Sequence, residues 1–450
     1  MSEPTLPEAE GGSHAERPVP RVYAFLTAEL VCAGLAGTVI NTSVTVAVAA
    51  IAQDVGASIS HVAVLVVLLN VGMAFAMPLA GLAVRAIGSR AVLISAGLSV
   101  LGSSVLLSLA PNLFVLGLAR LLQGLGSAAL VPTSVHAATQ LLDGDRRRRA
   151  LGWWAASNGL GLAFAPLIGG LLLDAAGWRW VTLPTCLLAV GLVVTARLAI
   201  PAGLRPDPGV GGADVLPLSL FAGTLMATFA AASAEAWTVC AAGAAVCLGS
   251  VGLLRWRAGR SPSLRAALGW LRDPEVRRTS TGAGLQMVAN GMVQVAVPAW
   301  LIASGVLRAG PAGAVLMAMT LTMAAMGPVS GRASSVPYRL WLRLGLGGCA
   351  IGLATVAAAS VWSWELAVPG LALLGLGAGA LLSPSLTTFS HTVAGGSVLG
   401  LASFNVLRLS AFAVGGLAGA AALDLGRPWV AFTLAAAVCG LAAALARHRE

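Results

Sequence analysis

The sequence predicts an all-α polytopic membrane protein, and three observations carry that prediction. Residues of the AVILMFWYC set make up 58% of the 450 positions, with 55 glycines besides, well above the roughly 45–50% apolar content of soluble domains. Charged residues contribute only 10%, too few to cover a soluble surface. Apolar stretches about 20 to 30 residues long tile the chain almost end to end, and a hydrocarbon core about 30 Å thick takes about 20 helical residues to cross. Lipid offers backbone amides no partner, so segments of this kind are helices; a closed barrel would show alternating strands of about 10 residues instead.

Taken in order, fourteen spans are expected near residues 23–52, 60–84, 91–110, 112–142, 150–173, 178–199, 215–234, 237–255, 279–303, 310–331, 340–360, 364–388, 397–422 and 428–446. Residues 1–22 hold Glu, Pro, Gly and Ser without an apolar run and read as a disordered cytoplasmic tail rather than a cleavable signal. Residues 23–199 form a first six-helix bundle. Residues 200–278 form a connector: a Pro-rich and Gly-rich stretch, PAGLRPDPGVGGAD (201–214), two extra spans (215–255), and a segment from Arg255 to Arg278 with Leu264, Leu268 and Leu271 at helical spacing among arginines. That pattern suits an amphipathic helix on an anionic inner leaflet. Residues 279–446 form the second six-helix bundle, and 447–450 the cytoplasmic end.

The two bundles repeat one another. MPLAG (77–81) returns as GPVSG (327–331), 250 residues on, and GLGSAALVP (124–132) as GLGAGALLSP (375–384), with a one-residue slip. Duplicated six-helix halves are the architecture of transporters whose substrate site lies at the midplane between repeats.

The net charge of +10 invites a nucleic-acid reading, and position excludes it. All 27 basic residues are arginine; with a cytoplasmic N-terminus, 22 fall on the inner side and only Arg179, Arg308 and Arg427 on the outer side. The positive-inside rule therefore places both termini in the cytoplasm. Arginine without lysine on an Ala-rich and Gly-rich background suggests a GC-rich bacterial genome, and the expected location is the bacterial inner membrane. The twelve tryptophans cluster toward span ends as an aromatic belt. The six cysteines lie in apolar spans without metal-ligand spacing and read as packing residues. No metal site, cofactor loop or catalytic set is present, so neither an enzyme nor an ATP-driven pump is expected.

Polar residues inside spans mark the candidate pathway for substrate and protons. Thr38, Asn41, Thr42 and Thr45 share one face of the first span at i, i+3, i+4, i+7, and Gln286, Asn290 and Gln294 share one face of the ninth. An offset of 249 maps Asn41 on Asn290, so the two faces meet across one space or, alternatively, only bond neighbouring helices. Arg120, with Gln123 beside it, is the costliest residue to insert, at about 2.5–3.5 kcal/mol for a mid-span arginine. It serves coupling or tethers a helix end. Glu29, two turns into the first span, is a coupling carboxylate or snorkels to the surface. Arg408 has no acidic partner by sequence and pairs with substrate or with a carbonyl. Asp54, Asp174, Glu235, Glu365 and Asp424 stand at outer span ends and are expected to be solvated.

Two stretches resemble a known family. LARLLQGLGSAA (118–129), with Arg120, Gln123 and Gly124, resembles the helix 4 motif of the major facilitator superfamily. NGLGLAFAPLIGGLLLDAAGWRW (158–180), with Gly159, Gly161, Pro166, Gly169 and Gly170, resembles the helix 5 antiporter motif of its 14-span drug:H+ antiporters, which serve multidrug and antibiotic efflux. The resemblance covers nearly the whole chain and implies a major facilitator fold of two six-helix bundles plus two extra central helices. Physically, Pro166 removes a backbone hydrogen bond and the glycines permit close packing. Three positions depart from the family. GLAVRAIGSR (81–90) keeps Gly81, Gly88 and Arg90 but has Arg85 where the family has an acid. Ile40 stands where the family carries a carboxylate in the first helix, and Ala165 precedes Pro166 in place of glycine. The gate-locking role of the missing acid is not carried over.

The resulting expectation is a monomeric secondary transporter that exports a hydrophobic or amphipathic small molecule, a drug or antibiotic, in exchange for protons by alternating access. Both deep charges are arginines, which favours an anionic or polar-neutral aromatic cargo over a cationic dye. An importer or uniporter of a small metabolite is the alternative within this fold, and a transport-dead membrane sensor or scaffold is the alternative outside it.

Overall fold

The structure is a computed structural model that describes residues 20–42, 44–204, 212–233, 237–262, 264–265, 273–332, 337–392 and 398–446. The helices are α1 (Pro20–Thr42), a 3-10 segment (Val44–Ala47), α2 (Val48–Val55), α3 (Ile59–Ile87), α4 (Ser89–Ser108), α5 (Leu113–Ser127), α6 (Leu130–Leu141), α7 (Gly144–Ala176), a 3-10 turn (Trp178–Thr182) and α8 (Leu183–Ala199). They continue with α9 (Gly212–Ser233), α10 (Trp237–Arg260), α11 (Pro274–Ala303), α12 (Ala309–Arg332), α13 (Tyr338–Ala359), a 3-10 turn (Trp364–Leu366), α14 (Ala367–Thr392), α15 (Val398–Asp424) and α16 (Pro428–Leu445). The expected tail, most of the amphipathic connector helix, Glu235 and the last four residues lie outside the described residues.

Twelve helical segments among the described residues are long and apolar enough to cross a membrane. Fourteen were expected. The two extra central elements are present as helices, but α9 contributes only the shorter apolar stretch Val215–Thr228, and α10 closes on Arg255, Arg257 and Arg260.

Two expected single spans are broken. The first divides after Thr42, where Thr42 Oγ1 donates to Thr38 O at 2.9 Å and Thr45 Oγ1 to Thr42 O at 2.6 Å; such side-chain bonds to the preceding turn compete with the helical ladder. The fourth divides between α5 and α6, where Pro132, in the first turn of α6, has no N–H to continue the ladder. Caps set other boundaries. Asn112 Oδ1 accepts from Val115 N at 3.0 Å to start α5, a bond typically worth about 1 kcal/mol.

α1 packs on α6, α7 and α8, α3 on α5, and α4 on α5 and α8, around Leu30, Ile40, Leu93, Val100 and Leu192. In the second set α11 packs on α15, α12 on α14, and α13 on α14 and α16, around Val293, Leu316, Leu353, Leu374 and Phe432. The sequence repeat is matched in space: a Cβ on Gly124 would stand 2.0 Å from Leu69 O, and one on Gly375 would stand 2.1 Å from Met319 O. Each glycine thus brings two helix backbones together, the packing that membrane helices favour. Large apolar side chains such as Leu109, Phe114, Leu187 and Leu441 point outward, where a soluble protein would place charge.

Two seams join the sets. α7 lies against α12, and α3 against α15. α9 packs along α3, with Ala222 and Met226 joining Val67, Val71, Val406 and Ala413 in one apolar cluster, so the inserted pair sits beside the α3/α15 seam.

Candidate functional site

Arg120 on α5 is fully buried. Its Nη1 donates to Ile40 O at 3.0 Å and to Gln123 Oε1 at 2.7 Å, its Nε donates to Leu65 O at 3.3 Å, and Gln123 Nε2 donates to Ser104 Oγ at 2.8 Å. The guanidinium therefore binds the carbonyl of Ile40, two residues before α1 ends, to α3 and α5. Of the two roles that the sequence leaves open, this geometry supplies the tether.

Glu29 on α1 has no exposed surface, so it does not snorkel. Ser134 Oγ on α6 lies 2.6 Å from Glu29 Oε1 and 2.8 Å from Leu130 O, and Glu29 Oε2 has no partner among the described residues. No other carboxylate among the described residues is buried to this degree.

The mapping of Asn41 on Asn290 holds in their contacts. Asn41 Nδ2 is 3.9 Å from Met73 Sδ, and Asn290 Nδ2 is 3.9 Å from Met323 Sδ. Asn41 Nδ2 also donates to Gly37 O at 3.0 Å, and Thr38 Oγ1 to Leu35 O at 3.0 Å, so Thr38, Asn41, Thr42 and Thr45 all bond within their own segment. Asn290 Oδ1 is unpartnered among the described residues, and Gln294 is buried. The two spans do approach each other: Val46, just past α1, packs with Ala289 and Val293 of α11.

Gln286 is brought to a different neighbour. With Ala283 it lines a narrow gap shared with Leu381, Leu382 and Ser385 of α14 and Phe404 and Arg408 of α15. Arg408 Nη1 donates to Asn405 Oδ1 at 3.5 Å, and its guanidinium lies 5.9 Å from the Phe404 ring centroid. Arg120 and Arg408, alike in sequence, thus differ in surroundings. Another crevice, of about 350 Å³ between α11, α15 and α16, is lined by Val288, Met292, Leu434, Val438 and other apolar side chains and offers no polar anchor.

At the end of the bundle where α2 finishes, three carboxylates are bonded where solvation was expected. Asp174, at the end of α7, accepts from Ala309 N at 3.1 Å and Gly310 N at 2.7 Å. Asp424, at the end of α15, accepts from Ile59 N at 3.1 Å and Ser60 N at 2.9 Å. Each therefore caps the first turn of a helix in the other set, where exposed N–H groups and the helix dipole favour an anion. Asp54 accepts from Trp178 Nε1 at 3.0 Å and forms an ion pair with Arg179 at 3.1 Å.

The antiporter-motif residues on α7 face both α1 and the α12 seam. A Cβ on Gly161 would meet Thr38 Oγ1 on α1 at 2.0 Å, one on Gly170 would meet Ala309 O at 2.2 Å, and one on Gly313 would meet Pro166 O at 2.2 Å. Gly159 faces Ala324 of α12, and Gly169 is buried. In the loop after α3, Gly88 adopts φ +86° with Ser89 N donating to Leu204 O at 2.9 Å; Gly81 faces open space and Arg90 is half-buried.

The polar pattern alone leaves out Asn70 and Thr320, both buried and 250 residues apart on α3 and α12. Asn70 Nδ2 donates to Val66 O at 3.0 Å, and its Oδ1 is unpartnered among the described residues. A lone amide in the run VAVLVVLLNVGMAF is the signal that finds it.

Comparison with known proteins bears on this arrangement. The chain is 28% identical over 377 residues to a probable actinorhodin transporter of Streptomyces coelicolor, covering 77% of this chain and 62% of that protein. It is 29% identical over 160 residues to a multidrug resistance protein B homolog of Mycobacterium tuberculosis, covering 36% of this chain and 30% of the relative. A 130-residue match at 38% identity links it to the multidrug resistance protein Stp of the same species, covering 28% of this chain and 24% of that one. The chain thus spans less than two thirds of each of these relatives. Residues 30–405 match the family described as Major Facilitator Superfamily, a family of transporters rather than enzymes. With repeated helix sets, glycine-built seams and a buried polar interior, this multi-pass membrane protein belongs to the Major Facilitator Superfamily.

Proposed function

We propose that the protein is a secondary active transporter of the bacterial inner membrane that exports a hydrophobic or amphipathic small molecule, a drug or antibiotic, in exchange for protons. It works by alternating access between two six-helix halves, residues 23–199 and 279–446, with two further spans between them and both termini in the cytoplasm. The arginine distribution supports this orientation, and the names of the relatives support the cargo class.

The observation that carries the reading is the pair of crossed caps. Asp174 and Asp424 close the same end of both seams with four bonds to backbone N–H groups. Charge-assisted bonds of this type are strong enough to hold a state and few enough to release. In the proposed orientation this end faces outward, so the conformation is closed to the outside. The tight α7/α12 contact at Gly170 and Gly313 completes the barrier on that side.

Glu29 is the proposed proton carrier. The Ser134 hydroxyl has one proton and two acceptors within 2.8 Å; a proton on Glu29 completes both bonds. A carboxylate this buried without a cation is costly to ionise in place, so loss of its proton is coupled to opening toward water. The test is a susceptibility profile across antibiotic classes in cells with the intact protein, with Glu29→Gln and without the protein. Protection against at least one class, lost with Glu29→Gln, supports the reading, and identical profiles overturn it.

A further inference from the structure

The two deep arginines differ in what holds them. Arg120 bonds two carbonyls and an amide through Nε and Nη1, and its Nη2 has no partner among the described residues. Arg408 makes one long bond, 3.5 Å to Asn405 Oδ1, and no carboxylate pairs with it among the described residues. An arginine offers five N–H donors, and holding its charge inside a membrane protein without an acceptor is expensive. A second group faces the same gap: Gln286, 1% exposed, has no partner for Nε2 among the described residues. Ser385, 3% exposed, adds a hydroxyl that shares only a 3.4 Å contact with Tyr338 and can turn toward the gap. The remaining walls are Phe404, fully buried and stacked near the guanidinium, with Ala283, Leu381 and Leu382.

We infer that Arg408, Gln286 and Ser385 form the subsite that recognises an anionic group of the cargo, and that the cargo is an aromatic carboxylate whose ring lies against Phe404. The inference rests on the exporter reading above and names the substrate class of that transporter. An arginine fork matches the two oxygens of a carboxylate, the amide and hydroxyl supply further donors to the same anion, and the phenyl face suits a planar ring. A cation would meet the like charge of Arg408 there. In the conformation closed at the outer end the gap is too narrow for water; all its walls belong to the second set, so the subsite opens when α15 shifts against α11 and α14. Gln286, Arg408 and Phe404 lie on α11 and α15, one of which follows the connector while the other forms the α3/α15 seam, so a change in the seam reaches the subsite directly.

Fluorescein, an aromatic carboxylate, and the cationic rhodamine ester with the same ring skeleton are the probes. Binding is read by fluorescence anisotropy on the purified full chain in detergent at fixed pH, and transport by dye extracted from proteoliposomes. The expected result is saturable fluorescein binding that weakens at least tenfold with Arg408→Gln, several-fold with Ser385→Ala, and less with Arg408→Lys, which keeps the charge without the fork. Elution position and melting temperature verify that each variant is folded. Should Arg408→Gln fail to fold, Gln286→Glu serves in its place and is expected to lower fluorescein affinity by charge repulsion. Equal fluorescein binding by native protein and a folded Arg408→Gln or Gln286→Glu variant overturns the inference, as does tighter binding of the rhodamine ester than of fluorescein. Transport of the rhodamine ester alone overturns the inference and leaves the exporter standing. Arg408-dependent fluorescein binding without gradient-driven movement keeps the subsite and overturns the exporter.

Discussion

Asp174 and Asp424, 250 residues apart, perform one task from opposite sides of the molecule: each accepts two backbone N–H bonds from the first turn of a helix in the other set, at Ala309 and Gly310 or at Ile59 and Ser60, which are themselves 250 residues apart. The pairing is reciprocal, so the closure at this end, outer in the proposed orientation, has the same two-fold character as the sequence repeat. Removing the charge at either position weakens one seam, and removing both weakens the whole barrier. Each cap is worth about 1–2 kcal/mol by its type. Asp174→Asn with Asp424→Asn is therefore expected to favour the outward-open state by about 2–4 kcal/mol in total. In a cysteine-free background carrying Val46→Cys, a position now 1% exposed, labelling by a membrane-impermeant maleimide from outside should rise at least tenfold in the double variant. Unchanged labelling would show that the caps do not hold the closure.

The seam itself offers a steric test. Gly313 faces Pro166 O at a distance that leaves no room for a side chain. Gly313→Val should keep α7 and α12 apart at the outer end, so the protein should reach the membrane in normal amount yet lose transport by more than tenfold. The same Val46→Cys probe should then label fully. Normal transport in Gly313→Val would mean that this contact is not needed for closure.

Arg120 is expected to act on stability rather than on cargo. Arg120→Ala leaves two buried carbonyls and Gln123 without their donor, at a cost of about 3–5 kcal/mol for a buried charged group removed from its partners. The melting temperature in detergent should fall clearly, while the relative export of different cargoes by whatever folds should be unchanged. A stable Arg120→Ala protein with altered cargo preference would return this residue to the substrate pathway.

Glu29→Gln keeps the size of the side chain and imitates the protonated acid. Dye binding should survive, and energy-independent exchange of labelled for unlabelled dye across the bilayer should continue. Accumulation driven by a proton gradient should fall more than tenfold. Ser134→Ala should give the same defect in weaker form, because it removes the group that holds Glu29 Oε1 at 2.6 Å. Full gradient-driven accumulation in Glu29→Gln would place the proton elsewhere.

Much of this was legible before any coordinates. Hydropathy length gave the helices, and the repeat gave Gly124 and Gly375 as equivalent positions, because a spacing of about 250 survives folding in a protein made of two alike sets. Asn41 and Asn290 were legible for the same reason. What one sequence hides is who sits across from whom. Arg120 and Arg408 are both arginines inside apolar spans; the difference is that Ile40 O and Leu65 O accept from Arg120, while among the described residues no carbonyl is bonded to Arg408. Asp174 and Asp424 read as solvated span ends because a carboxylate after an apolar run is normally in water, and only the crossing of α7 with α12 and of α15 with α3 puts helix N-termini in front of them. The division of the first and fourth spans is a similar case, since threonine hydroxyls and a single proline tip a local balance that hydropathy does not register.

The most direct measurement is dye movement in everted membrane vesicles holding the full chain, energised so that protons are driven inward and the gradient can be collapsed at will. Fluorescein is expected to accumulate inside, a protonophore to release it, and Glu29→Gln vesicles to hold no more than vesicles without the protein. Accumulation that persists after the proton gradient is collapsed, or that is the same with Glu29→Gln, would contradict proton-driven export through this site.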